Sequence, residues 1–281
     1  MPACFAPSKD TSLASFSPEQ VMSKSKVCPR PIERCTISII LARNANNQAI
    51  GTSPVENIRI FSIGGCATEL LAFSAYLQQT NRTGAVTMFD SGPWSSTVQL
   101  IHDRITSPAT LSSFASASAK AANAPFLPKS QMRISFHQQD VLELGMSDLR
   151  QVIGDQPVLV TLFFTLNELY TSGGIGQTTN FLKKTSESLP HGSLLLVVDS
   201  PGSYSEAVIG REQKRYPMQW LLDHTLLAVE AAEYRWTRLE SDDSIWFRLP
   251  DQLSYPISLE NMRYQMHLYR IDRDAPVSPV K

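Results

Sequence analysis

The chain has 281 residues, 42% of them hydrophobic and 18% charged, which is the balance of a globular α/β protein with ample material for a buried core. Its net charge of −1 excludes a whole-chain electrostatic drive toward nucleic acid, so any RNA contact must come from a local patch or from a protein already on the RNA. Four cysteines (Cys4, Cys28, Cys35, Cys66) and five scattered histidines show no paired ligand spacing, so free thiols, no metal site and no membrane span are expected.

Residues 1–55 form an arm rich in Ser, Pro and Lys, expected to be peripheral or disordered. Within it, Ser17-Pro18 is a helix-start signal and Thr36 to Arg43 an ambiguous strand or helix fragment. A folded domain is expected over residues 56–273, with a tail at 274–281.

The domain begins with a β-rich run (Ile58, Ile60, Phe61, Ile63) that breaks at Gly64-Gly65 and turns helical through Glu69, Leu70, Leu71 and Phe73. Strand, glycine turn and helix open a nucleotide-binding α/β unit, in which the glycines permit a tight turn and the helix N-terminus offers free N–H groups. The motif departs from G-x-G-x-x-G, because Cys66 and Thr68 stand where further glycines would be, and two glycines also serve an ordinary αβ turn. Ala85 to Phe89 is a second strand ending in Asp90, one β-turn-α-β unit later, where a carboxylate either receives ribose hydroxyls or caps the next helix. Val98, Ile101 and Ile105 then mark an amphipathic helix. Residues 107–130 are biased to Ser and Ala, too small to offset ordering, and are expected as a mobile insertion.

Arg133 to Gln138 alternates as a third strand, after which Asp140 meets a ligand base edge or caps a turn. Pro157 to Leu162 is a continuous apolar run of the doubly buried kind and leads to polar Asn167 and Glu168. A helix through Phe181 and Leu182 precedes a fifth strand, Ser193 to Val198, which ends in the polar loop Asp199 to Ser205. A basic tract (Arg211, Lys214, Arg215) beside Tyr204 and Tyr216 reads either as a solvated surface or as a phosphate and base contact. An amphipathic helix through Trp220, Leu222, Leu226 and Val229 follows, and then two strands, Ser244 to Leu249 and Arg263 to Ile271. Five strand–helix alternations and a final pair with one antiparallel member give seven strands in one sheet.

This assembly resembles the class I S-adenosylmethionine-dependent methyltransferases, whose Rossmann-like seven-stranded α/β sheet has an antiparallel last strand. The blocks Asp90-Ser91-Gly92-Pro93-Trp94, Phe164 to Tyr170, Asp199 to Tyr204, Tyr216 to Asp223 and Arg263 to Arg270 are similar to a fungal family, the 25S ribosomal RNA uridine-N3 methyltransferases. The resemblance implies S-adenosylmethionine as cofactor, held by Gly64 and Gly65 at its methionine part, Asp90 at the ribose and Asp140 at the adenine. It implies Asp199 and Glu168 as groups that take or relay the uridine imide proton, with Asn167 and Tyr204 orienting the base; the bland alternative for either acid is a helix or loop cap. The implied partner is ribosomal RNA or a pre-ribosomal particle, in the cytoplasm or nucleus (nucleolus). Two other readings stay open: a small-molecule or protein acceptor, and a relative that no longer binds cofactor.

Overall fold

The computed structural model describes residues 57–273 apart from 66, 203, 210–211, 229–232 and 249–259, with backbone only at 204–209 and 212–215. The arm, the tail, and all four cysteines therefore lie outside the described residues, as do the expected features at Ser17 and at Thr36 to Arg43.

Five parallel strands, β1 (Ile58–Ile63), β2 (Gly84–Asp90), β3 (Met132–Gln138), β4 (Leu159–Phe163) and β5 (Leu194–Asp199), form the body of the sheet. Two long antiparallel strands, β8 (Arg235–Phe247) and β9 (Met262–Asp272), complete it in the order β3-β2-β1-β4-β5-β9-β8. This is the expected seven-stranded α/β sheet, with β9 antiparallel to β5. The sequence makes the middle of the sheet unambiguous. Every residue of β4 and of β5 is buried, as a strand covered by helices on both faces must be.

Seven α-helices are described: α1 (Thr68–Thr80), α2 (Ser95–Thr106), α3 (Ala117–Ala121), α4 (Met146–Ile153), α5 (Leu166–Ser172), α6 (Gly174–Ser188) and α7 (Met218–Leu227). They cover the two faces of the sheet and divide the core in two. One half gathers Ile60, Leu70, Phe73, Leu77, Val86, Leu196 and Leu268 against α1 and α2. The other gathers Phe61, Leu162, Tyr170, Leu182, Val197, Leu222 and Tyr269 against α4 to α7. Strand alternation explains the split, since Ile60 and Phe61, or Leu196 and Val197, point to opposite faces.

The segment 107–130 is tied within itself and to the end of α2, and two expectations change further on. Asn123 exchanges hydrogen bonds with both backbone groups of Ala109 (2.8 and 3.1 Å), Leu127 is fully buried, and its N–H bonds Ile105 O at 3.1 Å. One large side chain and one amide supply what the small residues lack. The polar stretch after β5 is not a plain loop but a hairpin, β6 (Tyr204–Ile209) and β7 (Glu212–Pro217), paired antiparallel. The penultimate strand starts at Arg235, nine positions before Ser244, because two register shifts, at Arg238/Glu240 and Asp242/Ile245, break its alternation.

Candidate functional site at the carboxyl edge of the sheet

The strand order reverses direction between β1 and β4, and open α/β sheets place their ligand crevice outside the carboxyl ends of the strands at such a point. Backbone strain concentrates there. Gly64 (φ 71°) ends β1, Ala67 (φ 68°) precedes α1 and Phe164 (φ 57°) ends β4, all left-handed. Such conformations cost about 1–2 kcal/mol for a residue with a side chain and persist where surrounding structure enforces them. Here Gly64 N–H bonds Phe89 O (2.9 Å) and Phe164 N–H bonds Val198 O (2.7 Å), so each turn is tied to the neighbouring strand.

Gly64 is required by its left-handed φ and by the protein's own packing, and Gly65 is overlain by a side chain. A Cβ on Gly64 would lie 2.5 Å from Thr165 Oγ1, and one on Gly65 would lie 1.7 Å from the Glu69 carboxylate. Thr165 is fixed by donating to Ile63 O and Phe163 O. Glu69, fully buried in the first turn of α1, folds back over Gly65, an acid at the end of the helix where the dipole favours it. Thr68 Oγ1 donates to Gly65 O at 2.7 Å and closes the turn. Neither Thr165 nor Glu69 was singled out from sequence; the signal for Glu69 is its place four residues after Gly65, one helical turn along.

Asp90 stands at the end of β2, half-buried. Its Oδ1 accepts from Gly92 N–H at 2.7 Å, and its Oδ2 has no hydrogen bond among the described residues. Beside it, His137 stacks on Phe89 with ring centroids 4.5 Å apart and planes 11° from parallel. Asp140 is exposed and caps the short helical turn Val141–Glu143, its Oδ1 accepting from Leu142 N–H at 2.9 Å. The capping alternative is the one its geometry displays.

On the other side of the switch point, α5 begins beside the end of β5. Asp199 is buried, and its two oxygens accept from Asn167 N–H (3.1 Å) and Ser200 N–H (2.8 Å). Asn167 Oδ1 is buried with no hydrogen-bond partner among the described residues. Glu168 is exposed on the first turn of α5. Thus Asn167 and Asp199 are brought together, Glu168 lies next to them, and the side chain of Tyr204 is outside the described atoms.

A polar chain backs this corner. Gln265 donates to Ser200 O (2.6 Å), His267 Nε2 bonds Gln265 Oε1 (3.0 Å) and His267 Nδ1 bonds Ser241 Oγ (2.9 Å). Ser241 Oγ in turn accepts from Gln219 at the start of α7 (3.1 Å). Burial lowers the His267 pKa, more than Asp223 and the neighbouring acids raise it, so the ring stays neutral and keeps one donor and one acceptor for the chain. These residues escaped notice in the sequence, although polar Gln265 and His267 alternating with apolar Tyr264, Met266 and Leu268 in an interior strand are a legible sign.

Among the described residues no group of three His, Cys, Asp or Glu could hold a metal ion, and no helix is long and apolar enough to cross a membrane. A small hollow lined by Arg59, Thr87, Arg133 and Val158 lies at the amino ends of the strands, away from this site.

A relative in Saccharomyces cerevisiae, 25S rRNA (uridine(2843)-N(3))-methyltransferase, is 38% identical over 114 residues, which is 40% of this chain and 30% of the relative. The match therefore spans under a third of that protein's length. Among solved structures, an S-adenosylmethionine-dependent methyltransferase from Clostridium acetobutylicum covers 89% of this chain and 96% of its own, with 10% identity and a TM-score of 0.43. Another from Aquifex aeolicus covers 91% and 98%, with 13% identity and a TM-score of 0.38. A family model described as "Putative SAM-dependent methyltransferase" matches residues 12–270, nearly the whole chain. The chain belongs to that family of S-adenosylmethionine-dependent methyltransferases.

Proposed function

We propose that this protein transfers a methyl group from S-adenosylmethionine to N3 of a uridine in large-subunit ribosomal RNA. The observation that carries the reading is the pair of polar positions flanking the β1/β4 switch point: Asp90 with one open oxygen, and Asn167 with a buried, unsatisfied Oδ1 beside Asp199. The identity to the yeast ribosomal RNA enzyme supports the choice of acceptor. These residues fit the cofactor. Asp90 Oδ2 suits a ribose hydroxyl, and the N-terminus of α1 after the Gly64-Gly65 turn suits the methionine carboxylate. Asp140 would meet the adenine edge only by giving up or sharing its cap.

When bound, S-adenosylmethionine supplies a methyl group on a sulfonium that departs as a thioether. The chain's own task is to place the acceptor in line and exclude water. Asn167 would present its amide to the uracil edge. A uridine N3 must lose its imide proton, and Glu168, whose carboxylate makes no hydrogen bond among the described residues, is free to take it. Asp199, with both oxygens engaged by backbone N–H groups, acts as a positioning residue for the start of α5. Tyr204 remains a proposal for orienting the base. Such an enzyme would work where ribosomes are assembled or used, in the nucleolus or cytoplasm.

Mass spectrometry of ribosomal RNA nucleosides from cells lacking the protein tests the acceptor: 3-methyluridine should fall by one site, and an unchanged amount would refute it. One observation favours the non-catalytic alternative, namely that Thr165 and Glu69 fill the space over Gly64 and Gly65. Calorimetry with S-adenosylhomocysteine separates the two, because a non-catalytic relative gives no binding heat.

A further inference from the structure

β9 runs antiparallel to β5, and Asp199 pairs with Gln265, so the first residues of β9 project beyond the end of β5 at the carboxyl edge. Arg263 lies two positions past that pair, about 7 Å further out at strand spacing. It pairs in register with Trp246 near the end of β8. Trp246 is 54% exposed, and two guanidiniums lie over its ring, Arg263 at 5.3 Å and Arg248 at 5.6 Å from the ring centre. Arg263 is held in place by Ser244 Oγ, to which both its Nε and one terminal nitrogen donate.

Among the described residues the charge of this cluster is not spent on an ion pair. Elsewhere on these strands Arg238 pairs with Asp223 at 2.9 Å and Arg270 with Asp272 at 3.0 Å. Arg248 and Arg263 are exposed and form no ion pair among the described residues, although Asp242 and Asp243 lie further back on β8. Alternation puts Arg263 on the same face of β9 as Gln265, which bonds the loop after Asp199. An exposed indole with two guanidiniums that form no ion pair among the described residues offers a stacking surface and phosphate donors together, the pairing that single-stranded nucleic acid requires.

We propose that Trp246, Arg248 and Arg263 form a docking surface for the single-stranded RNA flanking the acceptor nucleoside, the indole taking a base and the guanidiniums taking phosphates. This rests on the RNA reading above. The test is fluorescence anisotropy of labelled oligouridine over a salt series, with S-adenosylhomocysteine calorimetry and circular dichroism on each variant as controls for cofactor binding and folding. In Arg248→Ala/Arg263→Ala the slope of log affinity against log salt should fall by about 1.4, two single-strand phosphates' worth. Trp246→Ala should weaken binding roughly five- to hundredfold with the slope unchanged. If the unsubstituted protein binds oligouridine and both variants match it in affinity and slope, the surface is refuted while the RNA reading stands. If it binds S-adenosylhomocysteine but not oligouridine, both fall. Competition by polyglutamate as strong as by unlabelled oligouridine would point to an acidic protein partner and overturn the choice of RNA.

Discussion

The two halves of the carboxyl edge treat their polar groups differently. On the β1–β3 side, Asp90 leaves one oxygen open and Asp140 is exposed, so the carboxylates keep valences for something outside the chain. On the β4–β9 side, Asp199 has both oxygens occupied, and Gln265, His267 and Ser241 pass hydrogen bonds from the loop after β5 to the start of α7. The first arrangement suits a small ligand held by a few strong contacts. The second fixes the position of a loop, and leaves Asn167 Oδ1 without a hydrogen bond among the described residues. In the proposed function one half binds through what is unsatisfied, and the other positions through what is satisfied.

Substitutions can break or sharpen that contrast. The largest effect is expected where the halves meet. Gly64→Ala places a Cβ 2.5 Å from Thr165 Oγ1 at a φ of 71°, and the combined strain and clash should cost about 3 kcal/mol or more, read as a fall in urea midpoint. Thr165→Ala in the same chain should recover part of that loss, and strict additivity would show that the contact is not the cause. Next, His267→Leu strands Gln265 and Ser241 and should cost about 2–3 kcal/mol of stability while leaving S-adenosylhomocysteine affinity nearly intact.

The same histidine gives the positioning half a pH dependence. Its folded pKa is below the ordinary 6.5, so between those two values the unfolded chain binds the extra proton and the folded chain does not. The contribution is complete above pH 6.5 and is lost as pH falls toward the folded value. His267→Gln should flatten stability over that acid window, and an equally steep profile would move the cause elsewhere. On the binding half the pattern inverts. Asp90→Ala should weaken S-adenosylhomocysteine by about 2 kcal/mol, roughly thirtyfold in Kd by calorimetry, with a Tm close to the parent's. The smallest effect is expected at Ala67→Gly, which removes a left-handed alanine but adds chain entropy, and should shift stability by less than about 1 kcal/mol.

The body of the sheet was readable from sequence because burial on both faces leaves a strong trace. The run Val158 to Leu162 and the run Leu194 to Val198 admit few alternatives, and the glycine turn and Asp90 are anchored to the strands before them. What escaped depended on partners distant in the chain. The requirement for Gly64 comes from Thr165, about a hundred residues later, and the polar chain joins Ser200, Ser241 and Gln265 from three separate elements. The β6–β7 hairpin was hidden because its residues, among them Glu206, Lys214 and Arg215, lack an apolar alternation. Asp90, Asn167 and Asp199 were found as strand-end polar residues, but which of them is open and which is engaged could be seen only from their neighbours.

The two register shifts in β8 have a consequence for the molecule among its own copies. β8 is the outermost strand of the sheet, thirteen residues long, and a flat edge of that length is a template on which another chain can add a strand. The irregularities at Arg238/Glu240 and Asp242/Ile245 bend it, and the exposed carboxylates of Asp242 and Asp243 sit at the second bend. An incoming strand would find its hydrogen-bond ladder interrupted twice and would have to bury acid side chains at the interruption. The edge nearest the proposed acceptor site is thereby kept solvated, and a long antiparallel strand is carried with its ladder interrupted.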